Sequence, residues 1–231
     1  MIYVTGDLHG ELCRFDDAKI HKLKKGDSLI ICGDFGFIWD GSTQEEKLLK
    51  KLGKKKFNIL FIDGTHENFD LLAKYPVTEW NGGKVQNICG NVYHLMRGQV
   101  YELEGKKIFT FGGGASTDKA MRIDAGKWWE QEMPTISEMH EGVDNLYKHH
   151  LTVDYIITHE PSPRVRALQN NSKLDKTQIE VYFEEITKTV TYEKWFFGSL
   201  HIDRVVTAKH FALFNNVVAA NQSDIGKSAK R

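Results

Sequence analysis

The 231 residues carry 31 basic and 31 acidic side chains, so the formal charge is zero, with 41% hydrophobic and 27% charged residues. At roughly 150 residues per domain this length gives one large domain or two small ones, and with about 70% of the unfolded surface buried no disulfide scaffold is needed. Zero net charge argues against a strongly basic nucleic-acid binder or a polybasic membrane clamp; the scattered Cys13, Cys32 and Cys89 make no disulfide framework or CxxC knuckle and suit a reducing, cytoplasmic setting; and no apolar run approaches the roughly 20 residues that a bilayer requires.

In chain order, the first residues lack a basic leading region and a cleavage site, so a strand is expected there instead of a signal peptide. Short runs rich in β-branched and aromatic residues predict strands at 2–5, 28–32, 58–62, 92–96, 100–103, 108–111, 155–158, 195–197, 205–208 and 211–219. Leucines at helical spacing, with lysines and acids opposite, predict helices at 12–23 and 43–52, and a shorter one at 68–74. Helical patterns return at 136–150, opened by Pro134 and Thr135, and at 176–189, with Asp175 as a cap. The opening thus alternates strand and helix, which favours a parallel sheet with helices outside. From residue 92 the strands crowd together, with turn signals at Gly98 and Glu104-Gly105, so a second, more antiparallel sheet is expected. No linker or repeat divides the chain. The reading is an α/β fold of two packed sheets flanked by helices, one domain over 1–221, with a polar, basic tail at 222–231 that frays.

Five of these strands end in polar segments of one kind: Gly6-Asp7-Leu8-His9-Gly10, Gly33-Asp34-Phe35-Gly36, Gly64-Thr65-His66-Glu67-Asn68, His159-Glu160-Pro161 and Gly198-Ser199-Leu200-His201. A single Gly-Asp after a strand is usually a turn; five such segments in series argue for a site. Parallel strands deliver their carboxyl ends to one edge, where open α/β sheets bind ligands. Asp7, His9, Asp34, His66, His159 and His201 are therefore expected to converge. Carboxylate and imidazole donors suit Mn, Fe, Zn, Co or Ni better than Ca.

In this order the segments resemble the motif set of the calcineurin-like metallophosphoesterases: GDxHG, GDxxD, GNH(D/E), a lone His after a strand, and GHxH. The resemblance covers about residues 1–205. The segments GDFGFIW, HENFD and FGGGASTDKAMR resemble more specifically a branch found in bacteria and their phages. The resemblance implies a four-layer sandwich of two mixed β-sheets between helices, and a site for two divalent metals, Mn favoured. It implies that Asp7, His9, Asp34 and His201 hold the first ion, with Asp34 bridging to the second. The second would also need the Asn of GNH, the lone His and the first His of GHxH, which here are Thr65, His159 and Ser199. One strong and one weak site are expected. Phe37 stands where GDxxD ends in Asp, a carboxylate that the resemblance gives the role of orienting His66; Asp40, Asp63 or Glu67 could substitute.

The implied reaction is attack on phosphorus by a metal-activated water, with His66 protonating the leaving group or stabilising the developing charge. One divalent ion against Asp7 and Asp34 leaves no surplus positive charge for a phosphate; two ions leave one. The expected substrate is a small phosphomonoester or phosphodiester, a nucleotide before long nucleic acid, because there is no basic excess. The alternative is a degenerate member that binds a phosphorylated ligand or a protein partner without hydrolysing it. Lys119 and Arg122 are candidate substrate-binding residues, after a Gly112–Gly114 loop that could cradle phosphate or simply turn. Trp128 or Trp129 could stack a base or pack, and Arg164 and Arg166 could hold phosphate or pair structurally. The remaining histidines and the lysine runs read as packing and solvated surface.

Overall fold

The computed structural model describes residues 1–170 and 177–222, so the expected Asp175 cap and the tail beyond 222 lie outside the described residues. Strands β1 (Ile2–Thr5), β2 (Ser28–Ile31) and β3 (Asn58–Phe61) run parallel, with Val4 beside Ile30 and Ile30 beside Leu60. Their connections carry the short helix α1 (Ala18–His21) and then α2 (Thr43–Gly53) on the outside. After α3 (Phe69–Leu72), strands β4 (Val77–Trp80), β5 (Gly83–Cys89) and β6 (Val92–Leu95) extend this sheet, β6 parallel to β3 and the other two antiparallel.

The second sheet is built from β7 (Gln99–Leu103), β8 (Lys106–Phe111), β9 (Tyr155–Thr158), β10 (Lys194–Phe197), β11 (Arg204–Val205) and β12 (His210–Ala212). Helices α4 (Lys119–Asp124), α5 (Ile136–Lys148), α6 (Pro163–Asn170) and α7 (Gln178–Thr189) lie between its strands in sequence. The chain then returns to the first sheet as β13 (Val218–Ala219), antiparallel to β1. The orders are β13-β1-β2-β3-β6-β5-β4 and β11-β12-β10-β9-β8-β7.

Several sequence expectations are corrected here. The second sheet is not the more antiparallel one: β8, β9, β10 and β12 run parallel, because helical crossovers connect β8 to β9 and β9 to β10, and β6 belongs to the first sheet. The helix expected over 12–23 breaks at Asp17, whose extended backbone separates a 3-10 turn (Leu12–Asp16) from α1 and whose carboxylate accepts from Lys19 N. The strand expected over 211–219 splits between the two sheets, turned by Asp203, whose carboxylate accepts the N–H groups of Phe214, Asn215 and Asn216. The hairpin of β4 and β5 has no hydrophobic pattern on its exposed β4 strand. Its signal is Asn81-Gly82, a two-residue turn with φ of 47° and 92°.

Alternation along the strands divides the core into layers. Val4, Ile30 and Leu60 face Tyr101, Ile108, Ile157 and Phe196 between the sheets. Leu29, Ile31 and Phe61 face outward onto Leu23, Leu49 and Leu52. Phe109, Phe111 and Trp195 pack on Leu146 of α5 and Phe183 and Ile186 of α7. The result is the expected helix–sheet–sheet–helix sandwich. The carboxyl ends of β1, β2, β3, β9 and β10 supply the polar segments singled out above. Among the described residues, no helix is long and apolar enough to cross a membrane.

Candidate metal centre

Asp7 and Asp34 follow β1 and β2 directly and are buried, while His9 and His201 approach from loops on the solvent side. One donor atom from each of the four lies within 4.8 Å of all the others. His201 Nε2 is 3.0 Å from Asp7 Oδ2 and 3.0 Å from His9 Nε2, and His9 Nδ1 is 3.9 Å from Asp34 Oδ2. His9, Asp34 and His201 all have left-handed backbones, with φ of 49°, 44° and 50°. That conformation is uncommon for residues with a Cβ and collects at functional sites. Close approach needs bare backbone opposite: a Cβ on Gly64 would overlap Asp34 Oδ1, and one on Gly198 would overlap Asp7 Oδ1.

The donor set passes a fit test for a divalent transition metal. Asp7 Oδ1 is enclosed and has no hydrogen-bond partner, which is rare for a buried carboxylate oxygen. Two imidazole nitrogens turn toward each other beside it. A cation among these atoms would satisfy the carboxylate and both rings at once, and the mixture of oxygen and imidazole donors suits a transition metal. Arg14 braces the first strand end, donating Nη1 to Asp7 O at 2.9 Å and Nη2 to Thr5 Oγ1 at 3.2 Å. Glu67 accepts from Phe35 N at 2.8 Å and so ties the β2 loop to the β3 loop. Burial, and then the charge of Asp34, push the Glu67 carboxyl well above its usual range.

Charges in the centre are strongly coupled. Burial works to raise the Asp34 carboxyl, but His159 and His66 hold it well below the usual range. Burial works to lower His159, but Asp34 and then Asp7 push it up to about 10. The hydrogen bond between His66 and Asp34 raises His66, that between His201 and Asp7 raises His201, and burial lowers His9.

The other expected residues have distinct surroundings. His159 is buried behind the cluster, with Nδ1 3.0 Å from Cys32 O and Nε2 3.9 Å from Asp34 Oδ1. Thr65 Oγ1 is 3.0 Å from His66 Nδ1, and Ser199 Oγ donates to Glu160 Oε2 at 3.1 Å, so both hydroxyls have partners within the protein. Among the described residues, no second group of three His, Cys, Asp or Glu donors comes together. The backbone N–H of His66 donates to Asp34 Oδ1 at 2.8 Å; its ring lies 3.1 Å from Asp34 Oδ2 through Nδ1 and 3.2 Å from Asp118 Oδ2 through Nε2.

Phe37 packs into the outer core against Phe15 and Phe35. None of the three expected carboxylate substitutes reaches His66: Asp40 accepts from Ser42 N, Asp63 pairs with Arg97 and His94, and Glu67 serves Phe35. Asp118 is the residue that the sequence reading missed. Its signal was an Asp in the Gly-rich segment after β8, beside the two cations that reading favoured.

Those cations are engaged elsewhere. Lys119 Nζ lies over the Trp128 ring at 4.0 Å, and buried Arg122 donates to Glu132 Oε2 and Lys127 O, both at 3.1 Å. Two amides of the glycine loop are taken up within the protein, Gly113 N donating to Asp63 O and Gly114 N to Glu132 O. Trp129 Nε1 donates to Asp70, Arg164 pairs with Glu184, and Arg166 pairs with Glu160 and Glu180. Beside the cluster opens a cavity of about 550 Å³ lined by His9, Phe37, Trp39, Gln44, Leu48 and His66 among others, with no Lys or Arg in its walls.

The family model described as calcineurin-like phosphoesterase matches residues 1–209. A comparison with curated proteins gives no match.

Proposed function

The chain belongs to the calcineurin-like phosphoesterases, and from that premise we propose that it hydrolyses a small phosphorylated substrate, a nucleotide before long nucleic acid, with one strongly held divalent metal. The observation that carries this reading is the four-donor cluster with its unpartnered Asp7 oxygen, one member of which, His9, lines a cavity. Asp7, His9, Asp34 and His201 would hold the ion, Mn in preference to Fe, Zn, Ni or Co. When bound, such an ion polarises a phosphoryl oxygen and acidifies water. His66, whose Nδ1 faces the Asp34 side of the cluster, is the proton donor to the departing oxygen. It is not one of the four clustered donors.

The cavity gives the leaving group its character. Trp39 and Leu48 offer apolar surface, and a wall with Asp40 and Glu45 but no cation favours an uncharged nucleoside-like group over a further phosphate chain. A second ion is expected to be weak, because Thr65 and Ser199 are neutral and already bonded, leaving Asp34 and His159. The three free cysteines support a reducing, cytoplasmic setting, and the GDFGFIW and FGGGASTDKAMR segments support the bacterial and phage branch.

The test pairs metal content with turnover. The purified protein should hydrolyse p-nitrophenyl phosphoesters when Mn is added, and His66→Ala should lower kcat for a nucleoside phosphoester, whose leaving oxygen needs a proton, by about 10²-fold or more while metal content holds. Metal and phosphate binding without turnover of any ester would support the non-catalytic reading instead.

A further inference from the structure

Resting on that reading of His66, we propose that Asp118 is its positioning residue, a carboxylate delivered from the second sheet to a histidine of the first. The His66 ring stands between two carboxylates: Nδ1, 3.1 Å from Asp34 Oδ2, faces the donor cluster, and Nε2, 3.2 Å from Asp118 Oδ2, lies on the opposite side of the ring. Phe37 is buried in the core, so the β2 loop brings no carboxylate to Nε2 from that position.

Asp118 makes no comparable use of its side chain in its own segment. It occupies the cap position before α4, where an Asp ordinarily turns in to accept a free helix N–H, yet it makes no capping bond. Its Oδ1 is enclosed and has no hydrogen-bond partner. The carboxylate is thus withheld from local structure and directed at His66.

The segment that carries it is firmly tied. Gly113 N donates to Asp63 O at 2.9 Å, which joins the loop to the end of β3, close to His66. Ser116 donates to Glu132 Oε1 through N at 3.1 Å and through Oγ at 2.8 Å. Glu132 is in turn buried against Arg122. A carboxylate on so fixed a frame sets the plane of the ring through Nε2–H and keeps Nδ1–H on the cluster side, beside Asp34 Oδ2 and Thr65 Oγ1, from which it would pass to the oxygen that leaves phosphorus. As that P–O bond breaks, its electron pair stays on the oxygen, which takes the proton from Nδ1. Water forms the new P–O bond and gives its proton to solvent, and Nε2–H stays on Asp118.

Asp118→Asn keeps the size and removes the charge. Two esters separate the roles: a p-nitrophenyl ester, whose leaving group departs without a proton, and the matching nucleoside ester, whose alkoxide needs one. With metal content unchanged, kcat for the nucleoside ester should fall by about 10²-fold with little change in KM, while the p-nitrophenyl ester is little affected. Asp118→Glu should recover part of the loss, and Asp118→Asn added to His66→Ala should change nothing further. Independently of turnover, a nitrogen–proton NMR correlation of the histidine rings should show a protected His66 Nε2–H that disappears in Asp118→Asn. Equal losses on both esters, or an unchanged ring resonance, would overturn the proposal. A wild-type protein inactive on both esters would overturn the phosphoesterase reading, and the ring resonance would still decide whether Asp118 holds His66.

Discussion

Asp7 and Asp34 show how a residue's surroundings define its use. Both are buried, both lie against imidazoles, and one oxygen of Asp7 lacks a partner. Burying carboxylates is costly unless they are paired; imidazoles supply part of that pairing, with His159 Nδ1 3.6 Å from Asp7 Oδ1, and a cation would complete it. Thr65 and Ser199 illustrate the reverse, since neutral hydroxyls bonded to His66 and Glu160 offer little to an ion. Replacing both, Thr65→Asn with Ser199→His, should create a second ion site. Losing even an outer partner typically costs 10–100-fold in metal affinity, so the gain in affinity for the second ion should be on the order of 10² or more. A metal titration followed by calorimetry would check it: a second binding step in the double variant is expected, and its absence would show that the surroundings, not these two positions, limit the site.

Elements explain which parts of the site could be read in advance. The ends of β1, β2 and β3 were legible because each couples a buried apolar run to Gly-Asp or Gly-Thr-His, and the left-handed backbone at His9 and Asp34 follows from the tight turns those glycines begin. β4 was not legible, because three of its four residues are exposed and no apolar pattern marks it. Asp118 was not legible either: its meeting with His66 depends on the loop after β8 reaching across to the end of β3, which no local spacing encodes. Helix α5, which packs behind the second sheet, opens with a reciprocal cap, Thr135 accepting from Glu138 N and Glu138 accepting from Thr135 N at 2.7 Å. Thr135→Ala should cost about 1 kcal/mol of stability. The lowered urea midpoint should come with an unchanged slope and unchanged metal content. A loss of metal would mean that α5 is coupled to the site more tightly than its position suggests.

At the scale of the whole molecule, the sandwich holds the two sheets together through an apolar layer, and the four-donor cluster lies at one edge of it. Phe196, fully buried in that layer, should cost about 3–5 kcal/mol when changed to alanine, read as a lower thermal midpoint. Acid stability has an identifiable contributor at the start of β12. Burial, and then Lys209, depress His210 to about 4, against about 6.5 in an unfolded chain. Between these values the unfolded chain binds the proton and the folded one does not, so stability is fully present above about pH 6.5 and falls as pH drops toward 4. His210→Gln should flatten the thermal midpoint against pH across that window relative to wild type; parallel profiles would remove His210 from the account.

The central claim is that Asp7, His9, Asp34 and His201 form one complete metal site and that, among the described residues, no second site matches it. The most direct test counts ions per chain, by elemental analysis of the purified protein together with anomalous scattering from its crystals, in wild type and in Asp34→Asn. The account predicts one transition-metal ion per chain among these four side chains, and its loss in the variant. Two fully occupied ions without added metal, or full occupancy retained in Asp34→Asn, would contradict it.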